Sequence, residues 1–123
     1  SEIILLVEDE PALRDLIEAT LTEIGYTVVA AQTGEEALAL AQTYPDPIHL
    51  LLTDVVLPQM NGREIAEALT AVHPQINVLF ISGYMDDAIM RHGVLTADTN
   101  FLSKPFARST LAAKVREVLD NPT

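Results

Sequence analysis

The sequence has 123 residues, of which 49% are hydrophobic, and it carries 7 Lys and Arg against 18 Asp and Glu, a formal net charge of −11. This length predicts a single domain over residues 1–123 with an ordinary core. The lack of cysteine excludes disulfide scaffolds, thiolate metal sites and cysteine nucleophiles, and it favours the cytoplasm. A chain this acidic is repelled by nucleic acid and by anionic membranes, and it has no apolar run of 18 residues to span a bilayer.

The first elements of the chain alternate between strand and helix patterns. An apolar run over 3–7 predicts a strand, and helical spacing of apolar residues over 13–24 predicts a helix that Gly25 ends. A shorter run over 27–31 predicts a second strand. The segment 33–36, Thr-Gly-Glu-Glu, is typical of a capping box and predicts a second helix.

The rest of the chain repeats this alternation. Apolar runs that predict strands cover residues 48–52, 76–81 and 100–103. Helical patterns cover residues 65–72, 86–91 and 111–119. Because the apolar runs do not alternate with polar residues, they favour strands buried on both faces. The sequence therefore predicts an α/β domain with a five-stranded parallel sheet and helices on both faces.

Polar side chains follow four of the five predicted strands. Glu8 and Asp9 follow the first strand, Asp54 the third, Ser82 the fourth and Lys104 the fifth. In an open parallel sheet the carboxyl ends of the strands share one edge, and ligands bind there. We therefore expect these five residues to gather at one site.

The three acidic residues of this group predict a cation site. Two unit charges about 4 Å apart repel by roughly 4 kcal/mol at an effective dielectric constant of 20, so the cluster must hold a proton or bind a cation. Hard carboxylate oxygens without His or Cys favour Mg²⁺, Mn²⁺ or Ca²⁺, and a few carboxylates with waters suit Mg²⁺.

A divalent cation, a lysine and a hydroxyl around one carboxylate are the groups that a phosphoryl group needs. The chain has neither a GxxxxGK[ST] loop nor a GxGxxG turn after the first strand, and Glu8 and Asp9 there would repel a nucleotide phosphate. The phosphate is therefore expected on a side chain, with Asp54 as the nucleophile.

From Ile3 to Leu119 the sequence resembles the receiver domain of two-component response regulators. The resemblance rests on Glu8-Asp9, on the D-x-x-x-P-x-x-x-G segment from Asp54 to Gly62, on Ser82-Gly83 and on Lys104-Pro105-Phe106. It implies a flavodoxin-like fold with strand order 2-1-3-4-5. The segments over 82–87 and 92–94 are most similar to receivers attached to hybrid sensor histidine kinases.

The resemblance implies that Asp54 accepts a phosphoryl group from a phosphohistidine of a histidine kinase or a histidine phosphotransfer domain. It implies Mg²⁺, with Mn²⁺ as a substitute, bound by Asp9, Asp54 and the backbone carbonyl of Val56. Glu8 stands where many members have Asp, which leaves open whether it ligates the metal directly or through water.

The resemblance also implies a conformational switch. Lys104 pairs with Asp54 and then with the phosphate, Ser82 moves to donate a hydrogen bond to a phosphate oxygen, and Phe101 turns inward. Tyr84 is a candidate gate for water. The switch alters the surface of the predicted helix over 86–91, the fifth strand and the last helix, through which a homodimer is expected.

The resemblance implies a signalling module and not an enzyme. Two other functions compete with this interpretation. An aspartyl-phosphate hydrolase of the haloacid dehalogenase type needs a second Asp two residues after the nucleophile, and Val56 occupies that position. A degenerate receiver that acts as a phosphorylation-independent interaction module is the second alternative. The sequence leaves open whether the domain is free-standing or part of a hybrid kinase.

Overall fold

The computed structural model describes residues 2–83 and 100–120 of the chain. The strands are β1 (Ile3–Val7), β2 (Thr27–Ala31), β3 (Leu50–Asp54), β4 (Asn77–Ser82) and β5 (Phe101–Ser103). The helices of the described residues are α1 (Pro11–Glu23), α2 (Gly34–Thr43), α3 (Gly62–Val72) and α4 (Arg108–Asp120). None of these helices has both the length and the hydrophobicity that a membrane crossing requires. Tyr84 and the predicted helix over 86–91 lie outside the described residues.

The five strands form one parallel sheet in the order β2-β1-β3-β4-β5. The register pairs Val7 with Thr53, Asp54 with Ile81, and Ser82 with Ser103. The carboxyl ends of β1, β3, β4 and β5 therefore lie side by side. The predicted fold class and strand order are confirmed.

The core lies on both faces of the sheet because alternate residues of each strand point in opposite directions. Leu5 and Leu51 face the side where α2 and α3 pack, and Leu6 and Leu52 face the side of α1 and α4. All five residues of β1 are buried. This two-sided burial explains why the strand sequences are continuously apolar.

The end of α1 has the geometry that Gly25 predicts. Gly25 has a φ of 106°, its N–H donates to the Thr22 carbonyl at 3.1 Å, and the Tyr26 N–H donates to the Leu21 carbonyl at 3.2 Å. These two bonds form a Schellman motif. The apolar pattern of α1 is wider than the face it buries, since Leu16 is 42% exposed.

Two predicted details differ from the structure. The third strand runs over 50–54 and not over 48–52, because its ladder with β4 continues through the buried polar residues Thr53 and Asp54. At the start of α2, Thr33 accepts a hydrogen bond from the Glu36 N–H, but the Glu36 side chain accepts from the Gln32 N–H at 2.7 Å. The reciprocal capping box predicted there is therefore not formed.

Candidate functional site

Asp54 is the last residue of β3 and is only 6% exposed. Its Oδ2 atom lies 2.7 Å from the Lys104 Nζ atom, and its Oδ1 atom accepts a hydrogen bond from the Val56 N–H at 3.3 Å. The Lys104 N–H donates to the Ser82 carbonyl at 2.7 Å, which fixes the residue after β5 against the end of β4. Both oxygens of the Asp54 carboxylate thus have a donor.

Glu8 extends from the end of β1 into the same site. It is 1% exposed, and its Oε2 atom accepts a hydrogen bond from the Glu10 N–H at 3.1 Å. Its Oε1 atom is buried without a hydrogen-bond partner among the described residues and lies 3.7 Å from Lys104 Nζ. A buried carboxylate oxygen without a donor is unfavourable unless a proton or a cation compensates it.

The acidic residues form one cluster, because one carboxylate oxygen each from Glu8, Asp9 and Asp54 lie within 4.8 Å of one another. Burial, together with the charge of Asp54, raises the pKa of Glu8 to about 7, although the hydrogen bond from the Glu10 N–H and the charge of Lys104 act to lower it. Burial also disfavours the charged form of Lys104, but the hydrogen bond and the charge of Asp54 outweigh it and raise the pKa of Lys104.

The donor set of this cluster fits Mg²⁺. Three carboxylates face one another with a single ammonium group beside them, and the Glu8 Oε1 atom is available as an acceptor. Oxygen donors of this kind, with room for water, are those that Mg²⁺ binds. The predicted ligation by the Val56 carbonyl stays a prediction.

Gly62 allows the loop after Asp54 to close tightly. Its N–H donates to the Val55 carbonyl at 2.9 Å, and a Cβ atom at this position would overlap the Asp54 carbonyl oxygen. The final glycine of the D-x-x-x-P-x-x-x-G segment is therefore explained by the approach of the start of α3 to the end of β3.

The residues predicted for the switch lie on neighbouring strands. Ser82 ends β4 and is fully buried, and its Oγ atom has no hydrogen-bond partner among the described residues. Phe101 begins the edge strand β5 and is 39% exposed. The predicted movements of these two side chains stay predictions.

Arg14 is a site residue that the sequence did not predict. Its Nη1 atom donates to the Glu8 carbonyl at 2.9 Å, so its half-buried side chain reaches back to the end of β1. The available signal was composition, because Arg14 is the only Lys or Arg in the first 62 residues and follows Asp9 by five positions.

Comparisons with known proteins agree with this fold. Residues 4–116 match the model of the response regulator receiver domain. The chain is 39% identical over 120 residues to the sensor kinase CckA of Brucella abortus, covering 98% of this chain but only 13% of that protein. It is 34% identical over 116 residues to the response regulator receiver protein CpdR of the same organism, covering 94% of this chain and 95% of that one.

Solved structures agree with the sequence relatives. The crystal structure of the receiver domain from the hybrid histidine kinase CckA superposes with a TM-score of 0.79 at 32% identity, covering 95% of this chain and 98% of that structure. The family match spans nearly the whole sequence, and both relatives named above cover more than nine tenths of it. The chain therefore belongs to the family of response regulator receiver domains, as its motifs predicted.

Proposed function

We propose that this domain is the phosphoacceptor of a cytoplasmic two-component phosphorelay. Asp54 takes a phosphoryl group from the phosphohistidine of a histidine kinase or of a histidine phosphotransfer domain. The observation that supports this proposal is the buried Asp54 carboxylate, held 2.7 Å from Lys104 and beside the carboxylates of Glu8 and Asp9.

The proposed transfer forms an acyl phosphate. A carboxylate oxygen of Asp54 attacks phosphorus and forms a P–O bond, while the P–N bond breaks and its electron pair stays with the imidazole, which takes up a proton. Glu8, Asp9 and Asp54, with the Val56 carbonyl as a further proposed ligand, would hold Mg²⁺, which when bound would supply positive charge to offset the phosphoryl oxygens. Lys104 balances part of the charge that the phosphate adds.

The surroundings of Ser82 support the proposed switch. The buried Ser82 hydroxyl has no hydrogen-bond partner among the described residues, so a phosphate on Asp54 offers it an acceptor. The movement of Ser82 would make room for Phe101, which is half-exposed on β5, to turn inward. This change would alter the surface around β5 and α4 that a partner or a second copy of the domain reads.

The first experiment incubates the domain with Mg²⁺ and acetyl phosphate and follows its intact mass. We expect a gain of one phosphoryl group, its loss in EDTA, and its loss in Asp54→Asn, since an amide is a poor nucleophile. Asp46→Asn makes the same charge change at an exposed position and should keep the gain. A gain that survives Asp54→Asn, or no gain in the wild type, would contradict the proposal.

The same preparation tests the two competing functions. Turnover of an external phosphomonoester would indicate a hydrolase, although Val56 stands where that chemistry needs an acid and its side chain is 62% exposed. Partner binding that does not change on addition of beryllofluoride, which mimics the phosphate, would indicate a phosphorylation-independent module.

A further inference from the structure

Three hydrogen bonds close the junction between β1 and α1 around Asp9. The Glu10 N–H donates to Glu8 Oε2 at 3.1 Å, the Arg14 N–H donates to the Glu10 carbonyl at 2.9 Å, and Arg14 Nη1 donates to the Glu8 carbonyl at 2.9 Å. Together with the chain between these residues, the bonds form a ring that begins and ends at Glu8. We refer to it as the Glu8–Arg14 ring.

Helix electrostatics do not explain the position of Arg14. It is the fourth residue of α1, at the end of the helix where the dipole favours acidic side chains and disfavours cations. In the part of the chain that the structure describes, Arg14 forms no ion pair with a carboxylate. Its bond to the Glu8 carbonyl is therefore the interaction that accounts for its orientation.

The Glu8–Arg14 ring fixes a segment that has few other restraints. The Glu8 N–H donates to the Ala31 carbonyl at 3.1 Å, so the sheet holds one side of this residue and Arg14 holds the other. Glu10 caps α1 without a side-chain hydrogen bond, and Pro11 has no N–H to donate. The direction that the chain takes at Asp9, after β1, thus depends on the ring.

We propose that Arg14 is a positioning residue for the divalent-cation site, which it shapes by holding the Glu8 carbonyl so that the Glu8 and Asp9 carboxylates face Asp54 together. This inference rests on the proposed function, which assigns the cation to these carboxylates. Removing groups that orient metal ligands typically weakens metal binding by about 10- to 100-fold. Because Arg14 acts through the backbone, we expect the lower end of that range.

An electrostatic role for Arg14 predicts the opposite sign. A guanidinium near a divalent cation repels it, so loss of that charge alone would tighten Mg²⁺ binding. Loss of the positioning bond would weaken it. The direction of the change in affinity therefore separates the two roles.

The experiment titrates the domain with Mg²⁺ alone and follows amide chemical shifts by two-dimensional NMR. Arg14→Met keeps an apolar stem and removes the donors, and we expect its Kd for Mg²⁺ to rise about 10-fold. Lys114→Met removes a charge from α4, where Lys114 pairs with Glu117 at 3.2 Å, and should leave the Kd within about 2-fold. An equal or lower Kd in Arg14→Met would overturn the proposal.

Two further measurements keep the test decisive. If Arg14→Met does not fold, Arg14→Gln is titrated in its place, with the same expected weakening and the same overturning result. The phosphorylation assay separates this inference from the proposed function. A wild type that binds Mg²⁺ but takes up no phosphoryl group contradicts the proposed function alone. If the wild type does take up a phosphoryl group and the Arg14 variant binds Mg²⁺ as tightly as the wild type, the positioning role alone is contradicted.

Discussion

Gly62 and Asp54 lie in contact through their backbones, so the size of residue 62 bears directly on the site. A Cβ atom on Gly62 would overlap the Asp54 carbonyl oxygen and lie 3.1 Å from the Val55 Cα atom. Neither neighbour is the flexible end of a side chain. The strand or the helix must therefore shift to admit even one methyl group.

We predict that Gly62→Ala lowers the free energy of unfolding by about 1–3 kcal/mol, the usual cost of overpacking. Alanine gains up to about 1 kcal/mol of helix propensity over glycine in a helix interior and less at the first position, so the overlap outweighs it. Chemical denaturation with urea measures the change.

Gly83→Ala is the matched control for this prediction. Among the residues that the structure describes, a Cβ atom on Gly83 would have no neighbour within 4 Å, and the φ of Gly83 lies outside the left-handed range. We expect it to remain within about 1 kcal/mol of the wild type, on the stabilising side. If both variants unfolded at the same urea concentration, close packing at Gly62 would not be the reason for glycine there.

Individual site residues differ in how far the sequence predicts them. Glu8, Asp9 and Asp54 follow apolar runs, so strand ends in a parallel sheet bring them together without any knowledge of the loops. Arg14 donates to a backbone carbonyl, and every residue has one, so the sequence does not mark this carbonyl as a partner. Contacts of this kind leave no pattern in the sequence.

The helices and strands show the same division between what hydrophobic patterns predict and what hydrogen bonds decide. Continuous apolar runs predicted the two-sided burial of the sheet. They did not predict that β3 continues through Thr53 and Asp54, where its pairing with β4 extends the strand. The capping box predicted at Thr33 is absent, and a reciprocal one closes the start of α3 between Asn61 and Glu64. The motif Asn61-Gly62-Arg63-Glu64 carried that signal.

We predict that this capping box stabilises the helix that follows the phosphoacceptor loop. The Asn61 side chain accepts from the Glu64 N–H, and the Glu64 side chain accepts from the Asn61 N–H, both at 2.9 Å. Asn61→Ala removes one of the two bonds and should cost about 1 kcal/mol of unfolding free energy. Asn61→Ser keeps an acceptor and should recover most of the loss in the same urea titration. Equal stability of the alanine and serine variants would argue against a capping role.

The stability of the whole domain depends on pH through the protonation of Glu8. Burial raises the pKa of Glu8 to about 7 in the folded domain, against an ordinary value of 4.5. Between these two pH values the folded domain binds more protons than the unfolded chain. The free energy of unfolding should therefore fall as the pH rises through this window.

We predict that this contribution amounts to about 3–4 kcal/mol in the metal-free domain, since each unit of pKa difference corresponds to about 1.4 kcal/mol. Glu8→Gln, which cannot ionise, should lose this part of the pH dependence. Glu67→Gln changes an exposed glutamate in the middle of α3 and should keep it. Urea denaturation in EDTA at several pH values checks the difference, and an unchanged slope in Glu8→Gln would contradict the prediction.

Mg²⁺ should oppose this pH dependence of stability, because the cation and the proton compete for the same carboxylate. At about pH 5.5 Glu8 is protonated, so the cation must displace a proton; at about pH 8 the carboxylate is already ionised and gains most from a cation. We therefore expect the rise in Tm on adding Mg²⁺ to be larger at the higher pH, with its midpoint near the Glu8 pKa of about 7. Thermal unfolding with a fixed Mg²⁺ concentration measures this rise, and Glu8→Gln should flatten its pH dependence while Glu67→Gln should not. An equal Mg²⁺ effect at both pH values in the wild type would mean that the buried Glu8 carboxylate and the cation do not share a site.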